Sequence, residues 1–395
     1  MYASANKYSM ERKSNILKIL FPVMLSFFVM GMVDIVGVST NFVRKDFHLN
    51  DFTASILPIM VFLWFALFSI PAGMLMNKIG RKKTVLISIA IGVVALLIPY
   101  FFYNFYCVIF AFALLGIGNT ILQVSLNPLV AGIVTADKLT SVLTFGQFVK
   151  AIASFLGPII ATFVATRWYD WRYVFVIYAV ISIISFIALY STSIKEEFKT
   201  DRASLSTFAQ TLSMLKESSI LQLFLGIVLI VGIDVAMNTN TPELLIKKIN
   251  FTTDTAGIGS SIYFGARTLG AFIGAMILVK MQPASFLRIN MFVAIIAFLL
   301  IMFGQQAWLL YGAIILVGFT CANVFSILFS IALQKYPESA NSISSLMIMG
   351  VAGGAIVTPI VGLVANNIGI GLSFGVLLLC VVYILFLSYK FSNLK

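Results

Sequence analysis

The chain has 395 residues, 61% of them hydrophobic and only 10% charged, with a formal net charge of +12. Soluble globular proteins carry about 25% charged and roughly 45–50% apolar residues, so a water-facing enzyme is excluded. Disorder is excluded too, because it needs low hydrophobicity and high charge. The excess of Lys and Arg is better explained by a membrane surface than by nucleic acid, and no nucleic-acid partner is expected. Cys107, Cys321 and Cys380 all lie in apolar runs and the one histidine, His48, lies in a loop. No disulfide framework, metal centre or cofactor is expected.

A helix needs about 20 mostly apolar residues to cross a bilayer. In chain order such spans are predicted at 16–41, 54–76, 84–103, 107–134, 139–166 and 172–194. A charged stretch from Lys195 to Glu217 follows, and then spans at 219–245, 256–279, 287–304, 308–334, 341–366 and 370–389. The first is too long for a cleaved signal peptide, and no run shows the ten-residue alternation of a barrel strand. The expected fold is an all-α polytopic membrane protein of twelve transmembrane helices in two six-helix pseudo-symmetric bundles. Their bounds are 1–194 and 219–395, joined by a cytoplasmic central loop at 195–218.

Cations orient the spans. With the N-terminus cytoplasmic, the outer loops carry only Arg44, Lys45, Arg167, Arg172, Lys247 and Lys248, and Lys150 and Arg267 lie within spans. All the other Lys and Arg residues fall inside. An even number of spans then places both termini in the cytoplasm.

The halves echo each other at an offset of about 200 residues. Gly31-Met-Val-Asp34-Ile-Val resembles Val231-Gly-Ile-Asp234-Val-Ala, Ala72 to Lys78 resembles Gly274 to Lys280, and Asp137 and Pro158 recur as Glu338 and Pro359. Internal repeats of this kind build secondary transporters, with substrate bound near the midplane.

Gly73-Met-Leu-Met-Asn-Lys-Ile-Gly-Arg-Lys-Lys83 between spans two and three resembles the signature loop of the major facilitator superfamily. Trp171-Arg172 with Phe175, opening span six, resembles another recurrent feature of it. The resemblance implies a cytoplasmic gate at Gly73, Asn77, Gly80, Arg81 and Lys82, its cations meeting helix C-termini and acidic groups. The family's Asp is Asn77 here, which implies a weakened or rearranged latch. Four further segments resemble the fucose–galactose–glucose proton symporters: Leu122 to Pro128, Val231 to Ala236, Ala266 to Gly270 and Gly353 to Gly362. Together these matches imply proton-driven sugar uptake by alternating access.

Charges within a span are costly, by about 2.5–3.5 kcal/mol each. Asp34, Lys150, Asp234 and Arg267 are two acids and two bases, a composition that suggests pairing, with Arg267 as a charge partner of Asp234. A polar stripe of Asn119, Gln123 and Asn127 runs down span four at intervals of four residues. Gln147, Lys150 and Ser154 share a face of span five, and Asn238, Tyr263 and Asn323 add polar groups on spans seven, eight and ten. Amides suit sugar hydroxyls, and Trp64, Phe65 and Phe68 offer flat faces for ring C–H groups. Helix packing competes as an explanation for each of these residues. The substrate-binding candidates are therefore Asn119, Gln123, Asn127, Gln147, Lys150, Asn238, Tyr263 and Asn323. A member of the resembled family carries a Glu where this chain has Gln123, so that carboxylate is not carried over. Asp34 and Asp234 remain as proton-coupling candidates.

Two other readings stay open. An organic-anion or uronate porter would use Lys150 and Arg267 to clamp a carboxylate. A drug:proton antiporter is disfavoured by Ile159-Ile-Ala-Thr162 after Gly157-Pro158, where further glycines would be expected. No phosphate loop or nucleophile–His pair supports an enzyme. The expected partners are a small-molecule substrate, protons and the lipid bilayer, with the chain acting as a monomer in a bacterial inner membrane.

Overall fold

The computed structural model describes residues 18–49, 51–194, 207–251 and 258–392. Among them eleven helices are long and apolar enough to cross a membrane. They are Lys18–Asp46, Ile56–Ile79, Arg81–Phe101, Phe105–Ala131, Ala136–Arg167, Tyr173–Ser191, Ser218–Ile249, Pro283–Phe303, Ala307–Lys335, Pro337–Ile368 and Ile370–Lys390. The remaining predicted span is the helix Ile258–Ile277, which Arg267, two serines and four glycines make less apolar than the others. Every predicted span thus corresponds to a helix, and no strand occurs among the described residues.

The connections differ from the expectation in instructive ways. The signature loop shrinks to Gly80, because one helix runs to Ile79 and the next begins at Arg81. Its φ of 88° lies in the left-handed region that glycine enters without steric cost. The predicted central loop contains a short helix, Phe208–Ser213; residues 195–206 lie outside the described residues. So do Lys7, Arg12, Lys13, Lys195, Lys199, Arg202 and Lys395, all counted toward the cytoplasmic side. Arg44 and Lys45 close span one, and Lys247 and Lys248 close span seven, as last-turn residues rather than loop residues. Cations there complement the negative end of the helix dipole. Lys248 shows how: its Nζ donates to the carbonyls of Ile301, Met302 and Gly304 at 2.8–2.9 Å, capping the end of span nine.

Span one tightens into a 3₁₀ turn at Met32–Asp34, and span eleven does so at Gly350–Gly353. Each distortion sits beside a glycine contact. A Cβ on Gly31 would lie 2.2 Å from the Lys150 carbonyl oxygen, and one on Gly353 would lie 2.2 Å from the Val228 carbonyl oxygen. Small residues let helix backbones meet where lipid offers no hydrophobic push.

The helices form two compact units. One comprises Met1–Thr135, Val149–Thr211 and Ala340–Ile348. Its core gathers Phe112, Trp171, Phe175 and Tyr178. At one end Asp46 Oδ2 accepts from the Tyr103 hydroxyl at 2.6 Å and from Trp171 Nε1 at 3.0 Å. Burial, then the Asp46 carboxylate, pushes the Tyr103 phenol far up. The other unit comprises Ala136–Phe148, Leu212–Ser339 and Met349–Lys395, with Phe298, Phe329, Phe374 and Leu377 fully buried. Large apolar side chains such as Phe110, Phe155, Ile184 and Leu379 stay exposed, as expected where the solvent is lipid.

The repeat reappears in the side chains. Lys82, opening span three, donates to the carbonyls of Tyr190 and Thr192 at the end of span six and sits 5.9 Å over the Tyr190 ring. Arg288, early in span nine, donates to the Ser388 carbonyl at the end of span twelve and stacks 4.0 Å over Tyr389.

Candidate functional site

In the first unit, Asp34 ends the 3₁₀ turn of span one and is exposed. Ser154 on span five donates to Asp34 Oδ2 at 2.5 Å. The same hydroxyl lies 3.1 Å from the Lys150 carbonyl and 3.4 Å from the Gly31 carbonyl. Lys150 and Gln147 are half-buried on the same helix. Asp34 therefore faces span five, where the neutral Ser154 hydroxyl holds its carboxylate.

The span-four stripe is buried: Asn119 is 6% exposed, Gln123 5% and Asn127 2%. Asn127 spends its amide on the Gln123 carbonyl at 3.1 Å. Asn119 Nδ2 is buried with no partner among the described residues, and so is Trp64 Nε1 on span two. Spans two and four touch here, since a Cβ on Gly116 would lie 2.9 Å from Trp64 Cδ1. Two orphaned donors in one helix pair mark a place that lacks an acceptor. Phe68 meets the Trp64 ring edge-on at 6.0 Å.

In the second unit, Asp234 is held on both oxygens. Tyr263 donates to Oδ1 at 2.5 Å and Arg267 Nη2 donates to Oδ2 at 2.6 Å. Tyr263 and Arg267 stand one turn apart on span eight, which lets both reach a single carboxylate. Tyr263 is fully buried and the Asp234 side chain only 14% exposed. Asn238 is exposed, and its carbonyl accepts from Ser260 at 2.7 Å. Asn323 is 1% exposed and spends Nδ2 on the Gly270 carbonyl at 2.9 Å, stitching span ten to span eight.

Gly73, Asn77, Gly80, Arg81 and Lys82 are brought together around the Gly80 turn. Asn341 Nδ2 donates to Asn77 Oδ1 at 2.7 Å, and Arg81 Nε donates to Asn341 Oδ1 at 2.9 Å. Arg81 Nη1 also donates to the Pro128 carbonyl at 3.0 Å. Gly73 lets span eleven approach, since a Cβ there would lie 1.8 Å from Ser345 Oγ. One amide, Asn341, thus bridges Asn77 and Arg81.

The sequence profile of the Major Facilitator Superfamily matches residues 22–359. The chain belongs to that superfamily. It is a membrane transporter, not an enzyme. This facilitator is 25% identical to a glucose/galactose transporter of Brucella abortus, over 92% of this chain and 91% of that protein. It is also 25% identical to a putative glucose/galactose transporter of Helicobacter pylori, over 96% and 98% of the respective chains. In fold it is similar to the Escherichia coli fucose:proton symporter FucP, with a TM-score of 0.83 at 16% identity, covering 95% of this chain and 99% of that one.

Two residues at these clusters escaped the sequence reading of the site. Spacing puts Ser154 on one face with Lys150 and Gln147, but serine on a helix so often bonds its own backbone that spacing alone does not reveal its role. Asn341 follows Glu338 as Thr140 follows Asp137, so the repeat itself carried its signal.

Proposed function

We propose that this facilitator is a proton-coupled symporter that takes up a neutral monosaccharide by alternating access, with Asp34 as the proton carrier. The observation that carries this reading is the unequal setting of the two intramembrane acids. Asp234 is clamped by a cation and a phenol, one on each carboxylate oxygen, which gives it a structural role. Asp34 is exposed and accepts from a neutral hydroxyl, so its carboxylate is open to protons from outside the protein.

The names of the relatives support a sugar. The orphaned donors of Trp64 and Asn119 suit hydroxyl oxygens, as do the further amides of Gln123 and Asn238. Arg267 is already engaged by Asp234, which weighs against its clamping a carboxylate substrate. One proton moving down 100 mV supplies about 2.3 kcal/mol, enough for roughly fiftyfold accumulation of a neutral sugar. The same reading places this protein as a monomer in a bacterial inner membrane, with both termini cytoplasmic. Two six-helix bundles, 1–194 and 219–395, flank the central loop, and the Asn77–Asn341–Arg81 cluster serves as the cytoplasmic latch.

The test is proton uptake in vesicles that enclose a pH-sensitive dye, challenged with glucose, galactose, fucose and a uronate. Acidification with a neutral sugar, lost in Asp34→Asn, is the expected result. Acidification with the uronate alone, or an Asp34→Asn protein that still accumulates sugar, overturns the proposal.

A further inference from the structure

We propose that Ser154 is a positioning residue for transport: its single hydroxyl hydrogen reports the protonation state of Asp34 to the contact between spans one and five. This inference rests on the reading of Asp34 as proton carrier. Ser154 Oγ has three oxygens around it, Asp34 Oδ2 at 2.5 Å and the carbonyls of Lys150 and Gly31 at 3.1 and 3.4 Å. A serine hydroxyl has one hydrogen to give and two lone pairs to accept with.

With Asp34 ionised, that hydrogen belongs to the carboxylate, since charge-assisted bonds are roughly twice as strong as neutral ones. Once Asp34 takes a proton, its own O–H becomes the donor and Ser154 Oγ the acceptor. The serine hydrogen then turns to the Lys150 or Gly31 carbonyl. The proton comes from hydronium at the exposed Asp34 carboxylate, which leaves water behind as the Asp34 O–H bond forms, and the Ser154 O–H bond stays intact, so the step balances. Its consequence falls at the closest approach of the two helices, because the Lys150 carbonyl is the atom against which Gly31 packs without a Cβ.

The ionisable groups around Asp34 are few. Span five brings Lys150, one turn before Ser154, and span six brings Tyr178, whose hydroxyl donates to the Ala153 carbonyl at 3.5 Å. Spans two and four, which also pack against span one, carry their ionisable residues Lys78, Tyr106 and Cys107 only at their ends, and Asp51 starts the helix that leads into span two.

The experiment compares Ser154→Ala, Ser154→Thr and Asp34→Asn with the parent, measuring proton-driven sugar accumulation from pH 5 to 9 alongside thermal stability of the purified protein. Loss of a donor to the charged form favours the neutral form. Ser154→Ala is expected to lower accumulation at least about fivefold and to move the pH of half-maximal uptake upward by about half a unit or more. Ser154→Thr, which keeps a hydroxyl, restores both. An unshifted pH profile in Ser154→Ala, or a Ser154→Thr that matches Ser154→Ala, overturns the inference while leaving the Asp34 reading intact. An Asp34→Asn protein that accumulates sugar overturns both.

Discussion

Arg267 Nη2 lies 2.6 Å from Asp234 Oδ2, joining spans seven and eight through an ion pair whose partners are 29% and 14% exposed. Removing one partner of such a pair strands a charge, at about 3–5 kcal/mol, whereas removing both is often nearly neutral. Arg267→Met is therefore expected to lower the melting temperature in detergent sharply, and Arg267→Met with Asp234→Leu to recover most of the loss. A double variant no more stable than the single one would show that Arg267 acts through other contacts.

Gly31→Ala places a methyl group where the Lys150 carbonyl already sits. Overpacking of this kind costs about 1–3 kcal/mol, occasionally more. Gly37, on the same span with nothing within 4 Å of its Cβ position, is the control, and Gly37→Ala should leave stability unchanged or slightly improved. Thermal unfolding of both variants in the same detergent decides the matter.

Asn341 serves Asn77 and Arg81 at once. Asn341→Leu leaves both without that partner and should cost about 1–3 kcal/mol, read as a lower melting temperature together with altered uptake. Asn77→Asp preserves the acceptor for Asn341 Nδ2 and should remain functional. If Asn77→Asp fails while Asn341→Leu is silent, the amide cluster is not the latch.

Asp170 and Arg172 pair outside the spans, with Asp170 Oδ2 2.7 Å from Arg172 Nη2. Burial pushes the Asp170 carboxyl up, but the Arg172 hydrogen bonds and charge outweigh it and hold it below the ordinary 3.8. A depressed carboxyl stabilises the fold above its unfolded value and loses that contribution as pH falls through the folded one. Asp170→Asn should thus cost about 1 kcal/mol at neutral pH, with the gap to the parent closing as pH falls below the ordinary 3.8 and through the lower folded value. A pH series of melting temperatures gives the answer, and a constant gap would count against the pairing.

The twelve helices were legible because hydropathy and length are bulk properties of a segment. Less visible was where a helix deforms. The 3₁₀ turn at Met32–Asp34 and the one-residue connection at Gly80 depend on contacts from other helices, such as Lys150 against Gly31. At the candidate site, charge balance pairs Arg267 with Asp234 in the sequence, but nothing there shows that Tyr263 reaches the other oxygen of the same carboxylate. Asn119, Gln123 and Asn127 read as a polar stripe in sequence. Only packing distinguishes Asn127, which bonds its own helix, from Asn119, which keeps an orphaned donor.

Gly80 is the whole linker between two long helices, and one residue leaves no slack. Spans two and three are therefore tied end to end, with Asn77 on one arm and Lys82 on the other. Because Lys82 also grips the carbonyls that end span six, a push delivered at Asn77 would travel through the hinge pin into a third helix, a lever that needs no flexible loop.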